Sequence, residues 1–230
     1  YNNIHTAIPD SLAPAFFPMK ERHSMDTRTH SPEQAAHSLT SGATSSATTG
    51  AISPGLQAWL DEEQAVTLRL DAGPGAGVSR PDQVAGRSGL ELMQAMLRGE
   101  LPYAPIARTL DFMLISVGEG SAVFQGRPGA NHLNPMGTVH GGWFATLLDS
   151  ALGCAVHTCM PPGRGYTTAE LGVNLVKALT PRVPRVRAEG RVLHCGRQLA
   201  TAEARLVGPD GTLYAHATTT CLVFEMPPAR

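Results

Sequence analysis

The stretch Asn131–Cys159, NHLNPMGTVHGGWFATLLDSALGCAVHTC, constrains this chain most. It begins as a loop with the turn formers Asn134-Pro135 and Gly137, then passes through His140-Gly141-Gly142. Beyond the glycines, Phe144, Leu147, Leu148, Ala151, Leu152 and Ala155 recur every three or four residues. That spacing predicts a helix with one apolar stripe. Pro161-Pro162 then stops it, because proline cannot continue a helix. One acid, Asp149, stands at the edge of the stripe, flanked on the helical wheel by Gly142, Thr146 and Gly153. A carboxylate in a trough of small side chains leaves room for another molecule to approach. The plainer alternative is a carboxylate at the rim of the core, paired with an arginine.

After this helix the apolar period falls to two. Ala169, Leu171, Val173 and Leu175 alternate with polar or small residues, as do Val186, Ala188, Gly190 and Val192. The same holds for Ala200 to Leu206 and for Leu213 to Ala217. Alternation of this kind predicts antiparallel strands with one buried face. Cys195-Gly196-Arg197 and Pro209-Asp210-Gly211 supply turns between them. The faces to be buried are rich in Ala and Gly, which lets a long helix lie close to a curved sheet.

Ahead of the helix, Leu90–Leu97 is helical in period with Gly99 as its stop, and Pro105–Leu110 forms a further turn. Phe112–Val117 and Ala122–Gln125 read as a hairpin around Gly118-Glu119-Gly120. Leu56, Trp59 and Leu60 open a short amphipathic piece. Val66, Leu68 and Leu70 alternate with Thr67 and Arg69, which reads as a strand. Gly73–Gly77 contains Pro74 and opens no helix, so it reads as a linker rather than a nucleotide loop. Thr40–Gly50, TSGATSSATTG, is too small and polar to bury a core. We therefore expect a flexible extension over residues 1–65 and one folded domain over 66–226. The class is α+β, an antiparallel β-sheet wrapped around one long central α-helix.

A formal net charge of -1 gives no electrostatic case for nucleic acid or a membrane surface. No apolar run approaches the ~18 residues of a membrane span. The first thirty residues lack the continuous apolar segment of a secretory signal. Cys154, Cys159, Cys195 and Cys221 form no CxxC pair and read as free, mostly buried thiols of a reducing cytoplasm. His5, His23, His30 and His37 have no metal-ligand spacing, and no metal site is expected. His157, His194 and His216 read as structural histidines, and no nucleophile elbow accompanies them.

The run Asn134-Pro135-Met136-Gly137-Thr138-Val139-His140-Gly141-Gly142, followed by Leu147-Leu148-Asp149, resembles the hotdog-fold acyl-CoA thioesterases, specifically the phenylacetate-pathway (PaaI-like) group. Thr167-Thr168-x-Glu170-Leu171-x-Val173-Asn174 and Gly196-Arg197 fit the same pattern, and the similarity covers about residues 88–225. The resemblance implies a hotdog fold and hydrolysis of an aryl- or medium-chain acyl-CoA to free acid and CoA. Coenzyme A is then part of the substrate, and no separate cofactor is expected. It also implies a homodimer, or a dimer of dimers. Asp149 and Gly141 would do the chemistry, supported by Asn134 and His140. Thr168, or Thr167 if the preceding loop differs by one residue, would contribute from the strand after the helix.

Thioester hydrolysis needs a polarised carbonyl and an activated water or nucleophile. Gly141 and Gly142 open the helix, so their N–H groups lack intrahelical acceptors and lie at the positive end of its dipole. Such donors suit a tetrahedral oxyanion, and glycine lets the substrate approach the backbone. Asp149 would act as general base or as nucleophile. His140 serves positioning or caps the loop, and Asn134 holds a water or the loop. Lys177 and Arg197 are candidate contacts for the coenzyme A phosphates. Two other functions fit the same residues: a hotdog hydratase or dehydratase acting on enoyl-thioesters, and a non-catalytic acyl-CoA binding module.

Overall fold

The computed structural model describes residues 52–226. The expected extension, with its four scattered histidines and the Thr40–Gly50 run, lies outside the described residues but for its last part. That last part is helical. Helix α1 runs Pro54–Asp71, with Ser53 as N-cap accepting from the Leu56 N–H and Pro54 at its first position. The strand expected over Val66–Leu70 is therefore the end of a helix. The decisive spacing is four, not two: Val66 and Leu70 are buried against Ile115, whereas Leu68 is 65% exposed.

Helices α2 (Pro81–Val84) and α3 (Gly89–Leu97) follow. A reciprocal Ser88–Glu91 capping box starts α3: the Glu91 N–H donates to Ser88 Oγ at 3.3 Å, and the Ser88 N–H to Glu91 Oε2 at 2.7 Å. Gly99, at φ +75°, ends it in the left-handed conformation glycine tolerates. The turn predicted at Pro105 is α4 (Pro105–Thr109). The predicted hairpin is β1 (Phe112–Gly118) and β2 (Ser121–Gly126).

The organising helix is α5 (Gly141–Thr158), followed by β3 (Arg164–Leu175), β4 (Val186–Cys195), β5 (Leu199–Val207) and β6 (Leu213–Glu225). All six strands form one antiparallel sheet in the order β1-β2-β4-β5-β6-β3. The sheet wraps α5, whose Leu147, Leu148, Ala151, Leu152 and Ala155 are fully buried. The small residues facing it do what their size permits. A side chain on Gly190 of β4 would collide with the Ala151 carbonyl, so that residue sets how closely helix and sheet approach. Trp143 turns inward, stacked on His132 at 5.5 Å and donating from Nε1 to the Leu110 carbonyl at 2.8 Å.

Strand β3 departs from the strict alternation expected of it. It is an edge strand, bulged between Thr168 and Glu170, and Leu171 and Val173 are only partly buried. Helix α1 is tied to the sheet by polar contacts: Arg185 donates to Glu63 at 2.8 Å, and the Arg187 guanidinium lies 4.4 Å from the Trp59 ring centre. No helix among the described residues is long and apolar enough to cross a membrane. All four cysteines are free thiols, but Cys195 is exposed and only Cys221 fully buried.

Candidate active site

The loop before α5 is held by its own asparagine. Asn134 Oδ1 accepts from the N–H groups of Met136 at 2.9 Å and Thr138 at 3.3 Å, and Nδ2 donates to Thr138 Oγ1 at 2.9 Å. Both ends of the amide make bonds inside the loop, so Asn134 holds the loop in shape. His140 is the N-cap of α5: its Nδ1 accepts from the Gly142 N–H at 2.9 Å. Of the two amides expected to face an oxyanion, Gly142's is thus already engaged. The Gly141 N–H makes no hydrogen bond among the described residues and lies at the positive end of the helix.

Asp149 lies two turns further along. Its Oδ1 accepts from Thr168 Oγ1 of β3 at 3.1 Å, and no cation pairs with it among the described residues. Among the described residues Asp149 is thus not paired with an arginine, and the threonine that meets it is Thr168 rather than Thr167, which is exposed one residue earlier. The trough foreseen around Asp149 is open only in part. Gly153 makes way for the Tyr166 phenol, since a Cβ there would stand 2.8 Å from its oxygen. The contacts Gly141–Leu175, Asp149–Thr168 and Gly153–Tyr166 show β3 running antiparallel to α5.

Asp149 and Thr168 line a cavity of about 330 Å³. Its α5 wall continues through Ser150, Cys154 and His157, and among the described residues Asp149 is the one carboxylic acid lining it. Burial pushes the Cys154 thiol up to about 12, helped by the nearby Asp149, so Cys154 stays protonated and is no nucleophile. Burial also raises the Tyr166 phenol and lowers the His157 imidazole, keeping both neutral. His157 lies edge-on to Tyr166 with ring centres 5.6 Å apart, and its buried Nε2 has no hydrogen-bond partner.

Lys177 and Arg197 do not line this cavity. Lys177 follows the end of β3 and lies 5.8 Å from the Tyr214 ring centre. Arg197 is exposed near the start of β3, where its carbonyl accepts from Arg164. The two cations thus sit at opposite ends of that strand. His194 and His216 are exposed on the sheet. Sequence reasoning missed His157, Ser150 and Cys154, although His157 lies eight residues from Asp149 on the same helical face. It also missed the opposite wall, which comes from residues 70–124 and carries no motif.

Residues 136–215 match the family described as the Thioesterase superfamily. Over 88 residues the chain is 35% identical to a Halobacterium salinarum protein provisionally named an esterase, a match covering 38% of this chain and 58% of that protein. The chain thus spans little more than half the length of that curated relative. Among solved structures it is similar to a Ralstonia eutropha JMP134 protein provisionally named a thioesterase and related to phenylacetic acid degradation. That similarity has 29% identity and a TM-score of 0.52, over 56% of this chain and 97% of that one. A conserved protein of Pseudomonas aeruginosa is 27% identical at a TM-score of 0.50, over 53% of this chain and 95% of that one. The architecture is the hotdog fold, as its sheet and central helix lead one to expect.

Proposed function

We propose, with the hotdog fold as premise, that this chain is a thioester hydrolase that cleaves acyl-CoA to free acid and coenzyme A. The observation that carries the reading is the Asp149–Thr168 pair, 3.1 Å apart, at the wall of an apolar cavity that can take an acyl group. The Thr168 hydroxyl fixes Asp149 Oδ1 and leaves Oδ2 uncommitted among the described residues. That oxygen takes a proton from an attacking water, or attacks the carbonyl itself. Incorporation of ¹⁸O from labelled water into the Asp149 carboxyl in a single turnover separates the two routes.

The oxyanion donor comes from a second copy. Gly141 and Asp149 are eight residues apart, which is about 12 Å along a helix. Reacting groups must approach within about 3–3.5 Å, so one α5 cannot serve one carbonyl with both. Strand β3 leaves one edge unpaired among the described residues and exposes Leu175 and Val176 beside it. A two-fold axis midway between Thr168 and Leu175 would join two such edges and bring each Gly141 to the other copy's Asp149. The active unit is then a homodimer, with a dimer of dimers compatible with the same interface. The free thiols fit a reducing compartment such as the cytoplasm. No observation among the described residues favours a hydratase.

A panel of acyl-CoA substrates with thiol detection tests the reading. Wild-type protein should release coenzyme A, Asp149→Asn should lose ~10²–10⁴-fold in kcat, and Thr168→Val roughly ten- to a hundredfold, the loss of one hydrogen bond to a charged group. Binding without turnover, indifferent to Asp149→Asn, would show a binding module instead.

A further inference from the structure

The acyl group is set by the wall opposite α5. That wall is made by Met93, Met96 and Leu97 of α3, Ile106 of α4, and Met113 and Leu114 of β1. All of it precedes residue 136, where the Thioesterase superfamily match begins. Four properties bear on what it accepts. Most of the polar lining, including Asp149, Ser150 and Thr168, belongs to α5 and β3; across the cavity Tyr103 brings a phenol, while the side chains lining it from α3, α4 and β1 offer a substrate only carbon and sulfur. Three of these six residues are methionines, whose unbranched, polarisable side chains follow a flexible chain more readily than they clasp a flat ring. Of the aromatic residues that reach the cavity, Phe112 and Phe124 meet edge to face at 5.9 Å and Tyr166 meets His157 at 5.6 Å, which leaves Tyr103 without an aromatic partner among the described residues.

Size is the fourth property. A cavity of about 330 Å³ is near the lower limit for small-molecule sites. At the ~30 Å³ that a water, and similarly a methylene, occupies in a liquid, it holds about eleven non-hydrogen atoms. Counted with the carbonyl oxygen, decanoyl has about eleven non-hydrogen atoms and octanoyl about nine, so the volume fits straight acyl groups of about eight to ten carbons; phenylacetyl also has about nine, so it is the shape of the wall, not its size, that disfavours an aryl ring.

We infer that the methionine-lined α3–β1 wall selects straight-chain, medium-length acyl groups of about eight to ten carbons over aryl groups. This rests on the thioesterase reading and names the substrate class of the same site.

The test uses the full chain and two variants at one half-buried wall position, Met96→Trp, which fills the cavity, and Met96→Ala, which enlarges it. Hydrolysis of butyryl- to palmitoyl-CoA and of phenylacetyl-CoA is measured, and binding of free decanoate and phenylacetate is titrated separately. We expect kcat/KM to rise about fourfold per methylene to a maximum at eight to ten carbons and to fall beyond it. Met96→Trp should move the maximum at least two carbons shorter, and Met96→Ala should move it longer. Phenylacetyl-CoA as the best substrate, or a length profile that neither variant shifts, would overturn the inference and leave the hydrolase reading standing. Decanoate binding that Met96→Trp weakens at least tenfold, with no hydrolysis of any substrate, would sustain the wall's role and refute the hydrolase. Absence of both hydrolysis and decanoate binding in folded protein would overturn both.

Discussion

His157 shows how one residue's surroundings alter its chemistry. It was expected to be a satisfied structural histidine, yet its Nε2 is buried without a partner beside the cavity. A buried imidazole resists charging, and burial lowers its pKa from the ordinary 6.5. The unfolded chain therefore binds this proton more readily than the folded one. Stability attributable to His157 is fully present above about pH 6.5 and declines as pH falls from there toward the lowered folded value. Urea midpoints taken between pH 7.5 and 5 should fall with pH in the wild type and fall less steeply in His157→Phe. Parallel curves for the two proteins would show that this histidine carries no such linkage. At the same scale, the sequence singled out Asp149 from its position on a helical wheel, and the structure supplied its partner. Nothing in the spacing of Thr167 and Thr168 distinguished them. The β3 register did, by turning one toward α5 and the other to solvent.

The close fit of α5 to the sheet is an element-scale property, and it was legible in advance. Helical periodicity over Phe144–Ala155 and alternation over the later strands each depend on residues a few positions apart, which is why a single sequence reports them. The small residues of β4 and β5 likewise announced a close approach. Gly190 is where that approach is tightest, so Gly190→Ala should destabilise the protein by about 1–3 kcal/mol, the usual cost of overpacking. Chemical denaturation measures it, and an unchanged midpoint would mean that α5 and β4 lie further apart than described. The α1 segment misled for the same local reason. Five residues, Val66–Leu70, fit a period of two as well as a spacing of four, and the choice was made by Ile115, which lies far along the chain and covers Val66 and Leu70 together. The Ser53-Pro54 start signal was present and would have favoured the helix.

At the scale of the molecule, the proposed site is shared between two copies, and this can be tested by mixing disabled chains. Gly141→Pro removes the N–H donor at the first helical position, where proline is accepted. The preceding His140, at φ -64° and ψ 137°, already has the conformation proline requires of its neighbour. Homodimers of Gly141→Pro and of Asp149→Ala should both be nearly inactive. Mixed dimers should regain one intact site and about half the wild-type activity per dimer, and folded mixed dimers that stay inactive would refute a shared site. The sequence by itself determined the central helix, its acid, the strand-and-turn order and the small residues that let the sheet close on the helix. Each is written in local spacing and in side-chain size. Only the tertiary structure decided that the Gly142 amide is capped by His140, that Thr168 meets Asp149, and that β3 is left as an edge. It alone decided, too, that residues 70–124 form the far wall of the cavity. Those outcomes depend on which distant segments meet, and no local period encodes that residues 96 and 149 line one cavity.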